Sequence, residues 1–113
     1  MQELNYLTML TAVRECVNKE RFCVGIFTRT QANRLSVCLE LLESMDEEEQ
    51  EATYRAVRNA NSSFIEFKNG SYIKVLSANE NARGYSFDKV LYEDDIDHEI
   101  LYNIVQPTEK LRF

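Results

Sequence analysis

Apolar residues near the start of the chain keep to one face of a helix. Tyr6, Leu10, Val13 and Val17 recur at helical spacing, and Leu7 and Met9 widen the stripe. Lys19, Glu20 and Arg21 end it. The run "FCVGIF", Phe22 to Phe27, has no polar alternation and is too brief for a helix, so it reads as a strand buried on both faces. In "TRTQANRLSVCLELLESM" the helical period returns, with Leu35, Cys38, Leu39 and Leu42 on one face and Thr28 or Thr30 placed to cap it. The acidic stretch Glu43 to Ala52 then opens a third, weaker helix reaching about Ala60, anchored only by Tyr54 and Val57.

The pattern changes to alternation in "SSFIEFKNGSYIKVLSA", which predicts a β-hairpin. Its turn is set by Asn69-Gly70, two residues that both accept positive φ, and a two-residue turn there places Phe67 opposite Tyr72. "NENARG" reads as a loop. Val90 to Tyr92, with Lys89 leading in, forms a short buried strand that ends on Glu93, Asp94 and Asp95. Ile96, Ile100, Leu101, Ile104 and Val105 predict a last helix, stopped by Pro107. The order is helix, strand, helix, helix, hairpin, strand, helix. Strands alternating with helices imply one α/β layered domain over residues 1–113, with a parallel strand pair.

Charge and cysteines narrow the function classes. A formal net charge of −6 argues against direct nucleic-acid binding, which needs clustered Lys and Arg. Much of the deficit lies in "ESMDEEEQEA", where acids suit the first turn of a helix. Cys16, Cys23 and Cys38 form no C-x-x-C pair and predict reduced, buried thiols rather than a disulfide framework or a zinc site. His98 has no second His or Cys nearby with which to build a metal site. The start of the chain lacks a basic region followed by an apolar run, and no stretch approaches membrane length. The expected setting is cytoplasmic, with no membrane contact.

Candidate chemistry gathers at the strand-end acids. Parallel strands present ligand sites at their C-terminal edge, and acids there can hold a metal or polarise an attacking water. They can also simply be the polar exit of a strand from its core. Nucleotide chemistry further needs a phosphate cradle, G-x-x-x-x-G-K-[ST]. Gly25, Gly70 and Gly84 are the only glycines, and none is followed by Lys-Ser or Lys-Thr. Arg83-Gly84, just before the acid-bearing strand, suits either a phosphate or subunit contact or a structural turn, with Gly84 relieving a close approach. Arg29 and Arg34 lie near the start of the second helix, where a phosphate can bind. No G-x-S-x-G motif is present.

Four stretches carry a resemblance: "CVGIFTRTQANRLSVCLELL", "FIEFKNGSYIKVLSA", "ARGYSFDKVLYEDD" and "ILYNIVQP". Together, over most of residues 7 to 107, they resemble the ATPase domain of the large terminase subunit, the motor that packages phage DNA. The resemblance implies a RecA-like, P-loop NTPase-type layered domain with a small, partly parallel sheet, a β-hairpin and flanking helices. In that family ATP and magnesium bind, an Asp supports the metal and a following Glu is the catalytic base. By position, the metal role falls on Glu93 and the catalytic role on Asp94, with the two residue types exchanged. Arg83 and Gly84 match the family's R-G and inherit a cofactor-binding role.

The resemblance also implies that the phosphate loop, the later core strands, the coupling motif and the nuclease domain lie outside these residues. The chain is therefore expected to resemble a truncated domain that binds no cofactor and hydrolyses no ATP by itself. The alternative is a small phage-encoded inhibitor or regulator, of anti-defence type, that reuses the scaffold to bind a protein. Either way, the strand Val90 to Tyr92 is expected to have one neighbour and an open edge, to be covered by a second copy or by a protein partner, with the chain's own short last helix, Ile96 to Val105, as the competing cover.

Overall fold

A computed structural model describes residues 1–79, 82 and 84–110. In chain order the elements are β1 (Gln2–Glu3), α1 (Tyr6–Asn18), β2 (Cys23–Thr28), α2 (Gln31–Ser44), α3 (Glu47–Ala52), β3 (Thr53–Arg58), β4 (Ser63–Phe67), β5 (Tyr72–Ser77) and β6 (Lys89–Tyr92). A final helical stretch begins as α4 (His98–Ile100), widens into a π-helical turn at Leu101–Val105 and tightens into a 3-10 turn at Gln106–Thr108. The six strands make one mixed sheet in the order β1-β6-β2-β5-β4-β3. β1, β6, β2 and β5 are mutually parallel, and β4 and β3 continue the sheet by antiparallel pairing.

β2 is the centre of the sheet, with β5 on one side and β6 on the other. Val24 and Ile26 pack with α1 and α2 in one core, while Phe27 packs with Phe87, Val90, Leu101, Ile104 and Val105 in a second core on the opposite face. The strand is thus buried on both faces, as its unbroken apolar run predicts. Gly25 lies under Phe87: a β-carbon at this position would stand 2.4 Å from Phe87 Cδ2. The Phe87 ring meets Phe27 and Tyr72 edge-on and stacks on Tyr85 with centroids 5.5 Å apart.

Both long helices turn inward a face that only partly matches the predicted stripe: Met9, Val13 and Cys38 are buried as expected, and Val17 and Leu42 pack against the core, but Tyr6, Leu7 and Leu39 are exposed. α1 buries Met9, Ala12, Val13 and Cys16, leaving Tyr6 68% and Leu7 72% exposed. Ala12 and Cys16 are small and let the helix lie close to the sheet; a stripe drawn through large side chains passes them by. α2 buries Arg34, Val37, Cys38 and Leu41, while Leu39 is exposed. An arginine on the inner face is tolerated because Arg34 Nη2 donates to the carbonyls of Asn59 at 3.2 Å and Ala60 at 2.7 Å.

The third helix is shorter than expected. Asp46 caps α3 in a capping box with Glu49, and Arg14 of α1 lies 2.8, 3.3 and 3.6 Å from Asp46, Glu48 and Glu49. The acidic stretch is therefore docked against α1. After Ala52 the chain is extended, and Thr53–Arg58 is a strand, not the rest of a helix. It covers the outer edge of β4, with Arg55 bonded to Glu66 at 3.0 Å and lying over the Phe64 ring. Tertiary pairing overrides a helical pattern that had only two apolar anchors.

The hairpin stands, but its turn differs. Within this turn only Gly70 has positive φ, at 86°; its N–H bonds Phe67 O at 3.1 Å, and Phe67 N–H bonds Ser71 O at 2.8 Å. Lys68, Asn69 and Gly70 form a three-residue loop, so Tyr72 faces Glu66 and not Phe67. The longer loop frees Asn69 for another task. Its Nδ2 reaches the carbonyls of Cys16, Val17 and Lys19 at 2.8, 3.2 and 3.1 Å, serving the end of α1 that has no partner within its own helix. Ser71 Oγ donates to Lys19 O at 2.6 Å and accepts from Phe22 N–H at 2.9 Å. The hairpin tip thus fixes the α1–β2 connection.

At the other side of the sheet, β1 pairs Gln2 with Leu91 and Glu3 with Tyr92, and Leu4 N–H adds a bond to Tyr92 O at 2.7 Å. The edge of β6 expected to be open is filled by the chain's own first residues. Below it, Lys89 is ion-paired with Glu15. Partial burial pulls the Glu15 carboxyl upward, but the ammonium groups of Lys89 and Lys19 outweigh that and hold it below its ordinary value.

Asn69→Ala removes the amide from three helix-end carbonyls and is expected to cost about 2 kcal/mol in urea denaturation. Asn61→Ala, at an exposed turn, is expected to cost less than about 0.5 kcal/mol. Equal midpoints for the two variants would contradict the capping role.

Candidate functional site

Because β1, β6, β2 and β5 run in one direction, the residues that follow them emerge together at one edge of the sheet. α1 and α2 start there too, capped by Asn5 and Thr30, which accept from the N–H groups of Thr8 and Asn33. The strand-end acids therefore stand beside two helix starts, as an open α/β sheet would arrange a ligand site.

Their hydrogen bonds place them differently from one another. Glu93 N–H bonds Phe27 O at 3.0 Å, carrying the β6–β2 pairing one residue further. The Glu93 carboxylate turns towards the β2–α2 connection: Oε1 accepts from Arg29 N–H at 2.9 Å and from Asn33 Nδ2 at 3.3 Å, and Oε2 lies 3.5 Å from the same Nδ2. It is a clasp between the end of one strand and the start of the next helix. Ile96 N–H returns to Glu93 O at 3.3 Å, which leaves Asp94 and Asp95 at the tip of a turn. Asp94 is exposed and borders a hollow of about 360 Å³ shared with Glu93, Leu4, Asn5, Tyr6, Asn33 and Glu40. Asp95 lies 3.9 Å from Arg29 Nη1 with both side chains open to solvent, an ion pair of little energetic weight. Asp97 caps α4 by accepting from Glu99 N–H at 2.9 Å.

The other sequence candidates scatter. Gly84 is exposed with φ at 94°, and a β-carbon there would have nothing within 4 Å, so backbone conformation and not a close approach accounts for this glycine. Arg83 lies outside the described residues. Arg29 points to Asp95, and Arg34 is buried against the β3–β4 turn. His98 stacks with Tyr102. The three cysteines are free, and burial pushes the Cys16 and Cys38 thiols upward, away from the reactive thiolate form.

Among the described residues no three His, Cys, Asp or Glu side chains are grouped to hold a metal. Magnesium is usually held by one or two carboxylates together with the substrate's phosphates. Here both oxygens of Glu93 face protein N–H donors, and although Glu40, Glu93 and Asp94 border one hollow they are not grouped to hold a metal, so the donor set does not fit a resident magnesium ion. Sequence reading missed Asn33, whose amide completes the clasp. Asn disfavours helices, and its position in the first turn of α2 is the signal that could have marked it.

No protein-family model and no curated protein matches this chain.

Glu93→Ala leaves the Arg29 N–H and the Asn33 amide without their protein acceptor, and because Arg29 is open to solvent it is expected to lower stability by about 1 kcal/mol. Asp94→Ala is expected to change it by about 0.5 kcal/mol or less. Thermal or urea unfolding of the two variants side by side checks this, and a larger loss from Asp94→Ala would reverse the assignment.

Proposed function

We propose that this chain is a terminase-ATPase-like domain of RecA-like type, of phage or prophage origin, that works by binding protein and does not hydrolyse ATP by itself. The observation that carries the reading is the Glu93 clasp. In nucleotide hydrolysis a strand-end carboxylate must face a metal or a water. Glu93 instead faces Arg29 N–H and Asn33, so the position to which the resemblance gives the metal role is engaged in holding the fold. Asp94, in the catalytic position, is left exposed on a turn. The sequence given also contains no phosphate loop, whose backbone amides and Lys supply most of the affinity for ATP phosphates.

What the edge offers is contact surface. Tyr6 and Leu7, 68% and 72% exposed, open α1 beside Asp94. Exposed apolar side chains next to acids suit a protein partner bearing basic and apolar residues. In the first version of this role the partner is the remainder of a packaging motor. In the second the chain is an inhibitor or regulator of a host protein, which the exposed pair at Tyr6 and Leu7 favours equally. A reading frame just upstream that encodes a phosphate loop would select the motor, and an unrelated small gene there would select the inhibitor.

Calorimetric titration with ATP and magnesium is expected to give no saturable heat. A micromolar dissociation constant would overturn the non-catalytic reading and make Asp94→Ala the next variant to assay.

A further inference from the structure

A second polar cavity, of about 400 Å³, lies away from the strand-end acids, where β4 stops short of its neighbour. The β4–β5 pairing is last made at Phe64 and Lys74, while β5 continues to Ser77 with β2 on its other side. This leaves a notch in the sheet, closed by the start of α2, the β3–β4 turn and Tyr85.

The notch collects donors that have no acceptor. Ser63 is 1% exposed, lines the cavity, and its Oγ is the one buried side-chain polar atom among the described residues that has no hydrogen-bond partner. Such a group is costly to leave unpaired and calls for an occupant. Arg34 is 6% exposed, and its two bonds to Asn59 and Ala60 both come from Nη2, leaving Nε and Nη1 without an acceptor among the described residues. Lys74 stands over the rings of Phe64 and Tyr85 and forms no ion pair among the described residues. Tyr72 and Ala78 donate their N–H groups to β2, at Phe22 O and Thr28 O. By the alternation of the strand, the Ser77 N–H is therefore on the β4 side, where no residue of β4 is paired with it.

Arg34 and Ser63 reach the notch from the helix-covered face, Lys74 and Tyr85 border it from the opposite face that Lys74 shares with Phe64, and the Ser77 N–H lies in the sheet between them. No carboxylate is among the described lining residues, in a chain whose net charge is −6. We propose that this notch binds a phosphate group, carried by a small organic molecule. A tetrahedral oxyanion accepts from donors on several sides at once, and the guanidinium fork of Arg34 suits it. The cavity is larger than a bare ion needs, and Tyr85 offers a ring for the remainder of the ligand. This site is separate from the Glu93 clasp and does not rest on the reading given to that edge.

The test is an NMR titration of the full chain with inorganic phosphate, against sodium chloride at matched ionic strength, repeated with phenyl phosphate. Phosphate is expected to give saturable shifts at the Ser63 and Ser77 amides and at Arg34 Nε–H, and chloride none. Tighter binding of phenyl phosphate than of inorganic phosphate assigns the rest of the cavity to an organic group. Equal affinity would overturn that part and leave a free-anion site. Ser63→Ala is expected to keep or raise the thermal midpoint, because it removes an unpaired buried hydroxyl, yet to weaken phosphate about tenfold or more. Lys74→Gln, at a partly buried side chain, is expected to weaken binding and reduce its salt dependence. The proposal is overturned if no saturable shift appears, if the shifts survive Ser63→Ala unchanged, or if that variant loses stability without ligand, which would give the hydroxyl a partner such as a buried water.

Discussion

The seat of Phe87 on Gly25 is the contact around which the sheet is organised. A glycine in the middle of a central strand weakens that strand, and here it is the residue that lets an aromatic ring lie directly on the backbone. From that seat the Phe87 ring joins Phe27, Tyr72 and Tyr85 into one aromatic cluster. Its backbone reaches in another direction, donating to Thr108 O at 2.7 Å and accepting from Lys110 N–H at 2.8 Å. Asp88, the next residue, accepts from Cys23 N–H at 2.8 Å. Two consecutive residues therefore fix the start of β6 against β2 and hold the last helical stretch over the second core. The register of β6, and with it the position of Glu93, follows from this seat.

Everything at the C-terminal edge inherits that register. Once Val90 is opposite Gly25 and Tyr92 opposite Phe27, Glu93 is delivered beside the first residues of the β2–α2 connection. A carboxylate there meets Arg29 N–H and Asn33, and a run of acids resolves into a clasp, a turn tip and a helix cap. Backbone needs are met in the same way at the sheet's border. β6 has unpaired groups on its outer side, and Gln2 and Glu3 fill them, although neither side chain carries a strand signal. Asn69 plays the corresponding part for the end of α1.

The sequence was most legible where side-chain pattern and backbone conformation coincide. The apolar runs of β2 and β6, the hairpin and the Thr30 cap stand close to where periodicity puts them. It was least legible where long-range backbone pairing decides the outcome. Thr53–Arg58 carries no clear period and becomes a strand because β4 needs a neighbour, and β1 is too short to leave a pattern. The helix faces were legible only in part, through Met9, Val13 and Cys38, because Ala12, Cys16 and Arg34 are inward residues that are not both apolar and large. At the site, the position of the acids at a strand end was legible, while their separate tasks were not, because those depend on Arg29 and Asn33, some sixty residues earlier in the chain.

The central claim is that the Glu93 carboxylate belongs to the fold's own hydrogen bonding. Amide hydrogen exchange at Arg29 tests it most directly, since that N–H sits on an exposed residue and has Glu93 as its acceptor. The account predicts an Arg29 amide that exchanges far more slowly than an unstructured peptide and loses that protection in Glu93→Ala while the β2 amides keep theirs. An Arg29 amide that exchanges freely in the unaltered protein would contradict it, and would return Glu93 to the solvent edge as a carboxylate available to a ligand.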